Sequence, residues 1–383
     1  MTVSHDDEAL LPAPPSTPRA MPAMPSGVEP IAPWGVHGLE ADAARTAPYV
    51  THDALRDLAS AVAARALAHR AVFSIAGSRV AVQSNIRGAL DLLLAAWRPF
   101  VERSDTAAQA GEDIAPYAVV DVGIPAARSP LASSLRGRHG SAIIPPLRSR
   151  YILVAGGEAL YAAARLEDAV DFLDWAATTT ALSGASSYAV FHSAALSWGG
   201  QGLLLPAASG SGKTTLTAAL IQAGFGYLSD EAALVDPRTG RIDAYPKSLS
   251  IKRPALLAEL LALSPHLMAT APAEPGRIWR LDPTWLAPDC PRASTTARVV
   301  VFPHYDPTGT TALQPIGHAA AALRLLRHGV NAPASPPRGV PLAGALVAGA
   351  ACYQLTVNSL PAAVRLITNL CAINGAGGDA SDA

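Results

Sequence analysis

A run of small residues, Ala207-Ala208-Ser209-Gly210-Ser211-Gly212, leads straight into Lys213-Thr214-Thr215. Those residue types at that spacing suit one task, which is holding phosphate. Gly210 and Gly212 let the backbone turn tightly and aim N–H groups at phosphate oxygens. Lys213 brings a mobile cation to the β- and γ-phosphates, and the Thr214 hydroxyl can ligate Mg2+. Ser209, Ser211 and Thr215 complete the loop. The usual pattern asks for glycine at 207, where this chain carries Ala207. Alanine costs little at negative φ and is strained at positive φ.

A second segment, Gly224-Phe225-Gly226-Tyr227-Leu228-Ser229-Asp230-Glu231, follows soon after. A short apolar strand ending in two carboxylates is where an acid that organises Mg2+ is expected. Adjacent acids on a strand point to opposite faces, so one can meet the metal or an attacking hydroxyl while the other meets a different partner. Upstream, Val190-Phe191-His192-Ser193 puts a histidine at the end of an apolar run, 213 − 192 = 21 residues before the lysine. Two strands joined by Trp198-Gly199-Gly200-Gln201 would bring His192 back to the loop. Downstream, Lys247 and Lys252 flank Ser248-Leu249-Ser250-Ile251. On spacing alone they read as solvated surface lysines, with phosphate or a substrate carboxylate as the sharper alternative. Arg277 and Arg280, around Trp279, are weaker candidates of the same kind.

The elements that must position these residues follow from periodicity. Gly202-Leu203-Leu204-Leu205-Pro206 reads as a buried strand before the loop, and Thr214–Ala223 as the helix after it, ending at Gly224. Further strands are expected over Tyr188–Phe191, Tyr227–Ser229, Ala232–Val235, Ser248–Ile251, Ala297–Phe302 and Tyr353–Thr356, with helices over Pro254–Leu263, Gly317–Arg327 and Pro361–Leu370. Asn331 to Pro341, punctuated by four prolines, reads as a loop. Nearer the N-terminus, Ala71–Ile75 and Ser78–Val82 form a hairpin pattern around Ala76-Gly77. Ile86–Val101 and Leu166–Leu182 have helical spacing, and Ala118–Val122 and Tyr151–Ala155 read as strands. A capped helix is expected from Thr51. The organisation is therefore a Pro- and Ala-rich disordered leader (1–48), a small α+β domain (49–185), a nucleotide domain (186–375) and a flexible tail (376–383).

Composition narrows the partners. The chain has 383 residues, 29 Lys and Arg against 30 Asp and Glu, and a net charge of −1, so no electrostatic footprint for nucleic acid or an anionic membrane is visible. Its three cysteines are scattered without metal-ligand spacing, which is compatible with a reducing cytoplasm. Asp6, Asp7 and Glu8 precede any apolar run, the wrong order for a secretory signal. The uncharged stretch Gly339–Val364 contains Pro341, Gln354, Asn358 and Pro361 and is rich in Ala and Gly, so a soluble chain is expected rather than a spanning one.

Taken in order, His192, the loop Ser209–Leu216, Gly224–Glu231, Pro246-Lys247-Ser248-Leu249-Ser250-Ile251-Lys252, Trp279-Arg280-Leu281 and Val301-Phe302-Pro303-His304-Tyr305 resemble the HPr kinase/phosphorylase superfamily, in particular its HprK-related kinase branch. The resemblance covers roughly 186–375. It implies an α/β fold, a P-loop kinase domain similar to phosphoenolpyruvate carboxykinase, and transfer of the ATP γ-phosphate to a serine hydroxyl on a small protein or peptide. Carried over by position, Lys213 and Thr214 hold phosphate and Mg2+. Asp230 matches the base for the serine hydroxyl, Glu231 stands at the second acid and is expected on the metal with Thr214, and His192 matches a histidine lining the site.

This chain departs from the main branch in having Ser193 after His192 and Ile278 after Pro275-Gly276-Arg277, and no counterpart of the downstream glutamate. Those departures weigh against a reverse phosphorylase activity and against HPr as acceptor. Branch members in peptide natural-product pathways make a precursor peptide the expected partner, and hexameric relatives raise a homo-oligomer. Two readings of other classes stand beside the kinase: a nucleotide-binding scaffold without turnover, which Ala207 would suit, and a small-molecule kinase.

Overall fold

The computed structural model describes residues 66–102, 114–122, 150–156, 158–274, 276–290, 293–331 and 336–376. The expected leader, the helix from Thr51 and the tail beyond Ala376 lie outside the described residues. Those residues form a mixed α/β structure with two large sheets and one small one.

The first sheet has the order β1(His69–Ile75)-β2(Ser78–Ser84)-β3(Ile114–Asp121)-β4(Tyr151–Ala155)-β5(Glu158–Ala163). Its opening hairpin turns at Ala76-Gly77, as the sequence suggests, with Ile75 paired to Ser78. Helices α1(Arg87–Trp97) and α2(Leu166–Ser183) bury an apolar face against this sheet, with Leu90, Leu93 and Trp97 on one and Val170, Leu173, Ala177 and Leu182 on the other. The i, i+3, i+4 spacing of these residues is what makes each helix amphipathic. The same core includes Leu234 and Tyr245, so it extends to residues beyond the first sheet.

The second sheet has nine strands. Its order is β6(Ala189–Phe191)-β10(Ala233–Val235)-β11(Arg241–Asp243)-β14(Thr295–Tyr305)-β8(Gln201–Pro206)-β7(Ser193–Trp198)-β9(Gly226–Ser229), with β16(Ala351–Val357) on β14 and β15(Ala312–Pro315) on β16. At its centre β14 runs parallel to both β8 and β16. Gly202 is needed there, because a Cβ would stand 2.8 Å from the Thr296 carbonyl oxygen on β14. Strands β12(Leu249–Ile251) and β13(Trp279–Leu281) pair separately.

Five helices complete the second layer: α3(Lys213–Gln222), α4(Pro254–Leu261), α5(Pro265–Met268), α6(His318–Leu326) and α8(Leu360–Ala376). A further one, α7(Pro336–Ala348), corrects the loop expected to Pro341. Pro336 and Pro337 fall in its first turn, where backbone N–H groups have no helical acceptor to lose. Among the described residues, no helix is long and apolar enough to cross a membrane.

Candidate functional site

The loop sits where β8 hands the chain to α3. Strand β8 is buried from Gly202 to Pro206, and α3 is buried on nearly every side through Leu216, Thr217, Ala218, Ala219, Leu220 and Ile221. A helix enclosed on all faces is fixed by packing, so its N-terminus is held rigidly. Gly210 and Gly212 have φ of +84° and +83°, values that side chains rarely adopt, and a Cβ at either would meet nothing within 4 Å. The space beside both glycines is therefore open. No side chain caps α3, and no acid occupies its first turn. Its first N–H groups and its dipole are left for an anion. Among the described non-glycine residues only Ala76 and Ala262 have positive φ, so Ala207 is unstrained and is no defect in the loop.

Two neighbouring strands deliver the chemistry. Strand β7 returns antiparallel beside β8 through Gly199-Gly200, with Ser193 paired to Pro206. That register puts His192 opposite the start of the loop, where Lys213 Nζ donates to His192 Nε2 at 3.0 Å. The other ring nitrogen, Nδ1, lies 3.1 Å from the Glu231 carbonyl oxygen and must carry the proton to donate to it. Strand β9 pairs with β7 on the other side, and just past its end the Ser229 hydroxyl accepts from the N–H groups of Glu231 and Ala232 at 3.2 and 3.0 Å. This hydroxyl-capped turn fixes Asp230 and Glu231.

The two acids face different partners, as adjacent positions require. Asp230 is buried, and its Oδ2 accepts from the Thr214 hydroxyl at 2.8 Å. Glu231 reaches the other way, with Oε2 2.6 Å from Lys247 Nζ. Thr214 thus meets Asp230, and the structure does not pair it with Glu231, the acid expected beside it on the metal.

Burial sets the charges of this cluster. It lowers Lys213 to about 8, with Lys252 pulling the same way and Asp230 and Glu231 opposing. It raises Asp230 to about 6 against the pull of Lys213 and the Thr214 hydrogen bond. Burial also pushes His192 well below its ordinary value, helped by Lys213, and takes His328 down to about 4. Near neutral pH Lys213 is thus an ammonium, Asp230 a carboxylate, and His192 and His328 neutral imidazoles.

Among the described residues the buried Ser211 Oγ has no hydrogen-bond partner, while the Thr217 hydroxyl lies against the Asp230 carboxyl and helps to hold its charge. Unpaired buried polar groups are costly and call for a ligand or water. Together with the open space beside the loop glycines, a free helix N-terminus, a lysine and a threonine hydroxyl, Ser211 fits a phosphate chain with Mg2+. Among the described residues there is no cluster of three or more His, Cys, Asp or Glu that could hold a metal by itself. Mg2+ needs none, since it commonly takes one or two protein oxygens and completes its shell with phosphate and water.

The remaining candidates separate. Lys252 is exposed, with Nζ 3.4 Å from Ser209 Oγ at the loop. Lys247, expected on the surface, is instead buried and ion-paired, because Asp174 and Glu231 flank it. Arg280 pairs with Asp171 and Asp174, and Arg277 with Asp168, all on α2, so neither arginine is free for phosphate. Nothing in the sequence around His328 places it at this site. Its carbonyl oxygen accepts from His192 N–H at 2.6 Å, and a backbone zipper of Val330 onto Val190 holds the segment there.

No family model matches the chain, and no curated protein does. Among solved structures it is similar to the Hpr(Ser) kinase/phosphatase from Coxiella burnetii. The identity is 10% and the TM-score 0.25, over 48% of this chain and 98% of that one. At that identity and score the likeness says nothing about activity.

Proposed function

We propose that the chain is an ATP- and Mg2+-dependent phosphotransferase, a serine kinase acting on a small protein or peptide. The observation that carries this is the meeting of Lys213, Thr214 and Asp230 at a helix N-terminus that no side chain caps, with the Thr214 hydroxyl on Asp230 Oδ2. The serine and peptide acceptor rests on the motif resemblance alone, as do the P-loop kinase kinship and a precursor peptide as partner.

In this reading the N–H groups of the Ser209–Thr214 loop and the α3 dipole bind the phosphates. Lys213 releases His192 Nε2 and moves its ammonium onto the β- and γ-oxygens, where a nearby negative charge raises its proton affinity again. Thr214, oriented by Asp230, would hold Mg2+, whose charge would neutralise the phosphate oxygens. The Asp230 carboxylate accepts the proton of the serine hydroxyl. The serine Oγ–Pγ bond forms, the bond from Pγ to the β,γ-bridging oxygen breaks, and ADP leaves with that oxygen. A carboxylate near pH 6 is ionised at neutrality yet basic enough to take that proton. Positioning and charge stabilisation supply most of the rate.

Calorimetric titration with MgATP tests the nucleotide part. Binding is expected to be lost in Lys213→Met and retained in Asp230→Asn. Retention in Lys213→Met contradicts the assignment of the loop.

A further inference from the structure

Lys247 is 3% exposed and belongs to no part of the phosphate site, yet it carries a full set of contacts. Its ammonium lies 2.7 Å from Asp174 Oδ1 on α2 and 2.6 Å from Glu231 Oε2, and the two acids together hold its proton more tightly than burial loosens it. Asp174 is itself anchored. It receives Trp97 Nε1–H at 2.8 Å from the end of α1 and Arg280 Nη1 at 2.8 Å. The backbone at Lys247 is fixed on both sides as well. Its carbonyl accepts from the Tyr227 hydroxyl on β9 at 2.6 Å, and Ser248 donates through Oγ to Ala95 and through N–H to Ala96 on α1.

From this we infer that Lys247 is a positioning residue. Held by α1 and α2, it clamps the Glu231 carboxylate and so fixes the Asp230-Glu231 turn against the loop. The first sheet's helices are then part of the machinery that places Asp230, and not a separate appendage. Removing the ammonium takes from the half-buried Glu231 carboxylate the cation that holds it in place and leaves the buried Asp174 to Arg280. A buried ion pair broken on one side is costly for this reason. The catalytic consequence rests on the kinase reading above; the clamp itself does not.

The test compares Lys247→Met, Glu231→Gln and the double variant. Hydrogen exchange is read on the Ser229–Ala232 turn and on the Gly210–Thr214 loop of the nucleotide-free protein, and kcat and MgATP affinity are read in the transfer assay. Lys247→Met is expected to speed exchange in the turn and leave the loop unchanged, and to lower kcat roughly 10–100-fold with MgATP affinity intact. If Lys247 acts only through Glu231, the double variant matches Glu231→Gln alone. Additive effects, or equal loosening of turn and loop, overturn the proposal.

Should Lys247→Met not fold, Glu231→Gln decides alone, because Lys247 keeps Asp174. Faster exchange in its turn supports the clamp, and wild-type exchange refutes it. A turn that loosens in a protein whose wild type transfers no phosphate would leave the clamp standing and remove the kinase reading.

Discussion

Burial of the Lys213 ammonium is expected to cost the folded protein stability, and replacing it to show this. The side chain is 7% exposed, and burial lowers its proton affinity from the ordinary 10.5 to about 8. At about 1.4 kcal/mol per pH unit that difference corresponds to about 3 kcal/mol of stability absent at neutral pH. Lys213→Met keeps the bulk and removes the charge. It also strips His192 Nε2 of its donor, a loss of about 1 kcal/mol. The balance is a nucleotide-free variant about 2 kcal/mol more stable than the wild type, or about 2–3 °C in Tm for a chain of this size.

The sign can be checked by pH. Because the folded value lies below the unfolded one, the cost is fully present below pH 8 and fades as pH climbs toward 10.5. The gap between variant and wild type should therefore narrow over that window in urea unfolding. MgATP should raise the Tm of the wild type and leave the variant unmoved. A Lys213→Met protein less stable than wild type at pH 7, or one still stabilised by MgATP, refutes the reasoning.

Other outcomes follow from the same geometry. Gly212→Ala should weaken MgATP binding and cost about 1–2 kcal/mol of stability, since φ is +83° and no neighbour crowds the position. Ala207→Gly, by contrast, should leave affinity unchanged, because Ala207 already has an unstrained backbone. The pH profile of kcat/KM should be bell-shaped, falling on the acid side below about 6 as Asp230 is protonated and on the alkaline side above about 8 as Lys213 is neutralised. Bound phosphate should move the alkaline limb of kcat upward.

Much of the site was legible because its signals are local. The glycine spacing of 210 and 212, the strand before and the helix after need only neighbours in the chain. The Gly199-Gly200 turn even implied the return of His192. What stayed hidden depends on distant partners. Lys247 reads as a surface lysine until Asp174 is seen to pack on it from 73 positions upstream, as the numbering 247 − 174 shows. A signal did exist, since Asp174 interrupts the apolar face formed by Val170, Leu173 and Ala177 on α2. A buried acid in such a face calls for a cation. Asp168, Asp171 and Asp174 on α2 find Arg277 and Arg280 in the same way. His328 was invisible because nothing near it in sequence says that Val330 zips onto Val190. The helix at Pro336–Ala348 was masked by its prolines: Pro336 and Pro337 fall in its first turn, where they cost nothing, but Pro341 lies inside the helix, which forms in spite of it.

The most direct test of the kinase reading is transfer from ATP labelled at the γ-phosphate. Purified protein is incubated with Mg2+ and the peptides encoded beside its gene, comparing wild type with Asp230→Asn. The expected result is a phosphoserine product from the wild type and none from Asp230→Asn, with MgATP binding equal in both. Equal transfer by the two proteins, or none by a wild type saturated with MgATP, would contradict it.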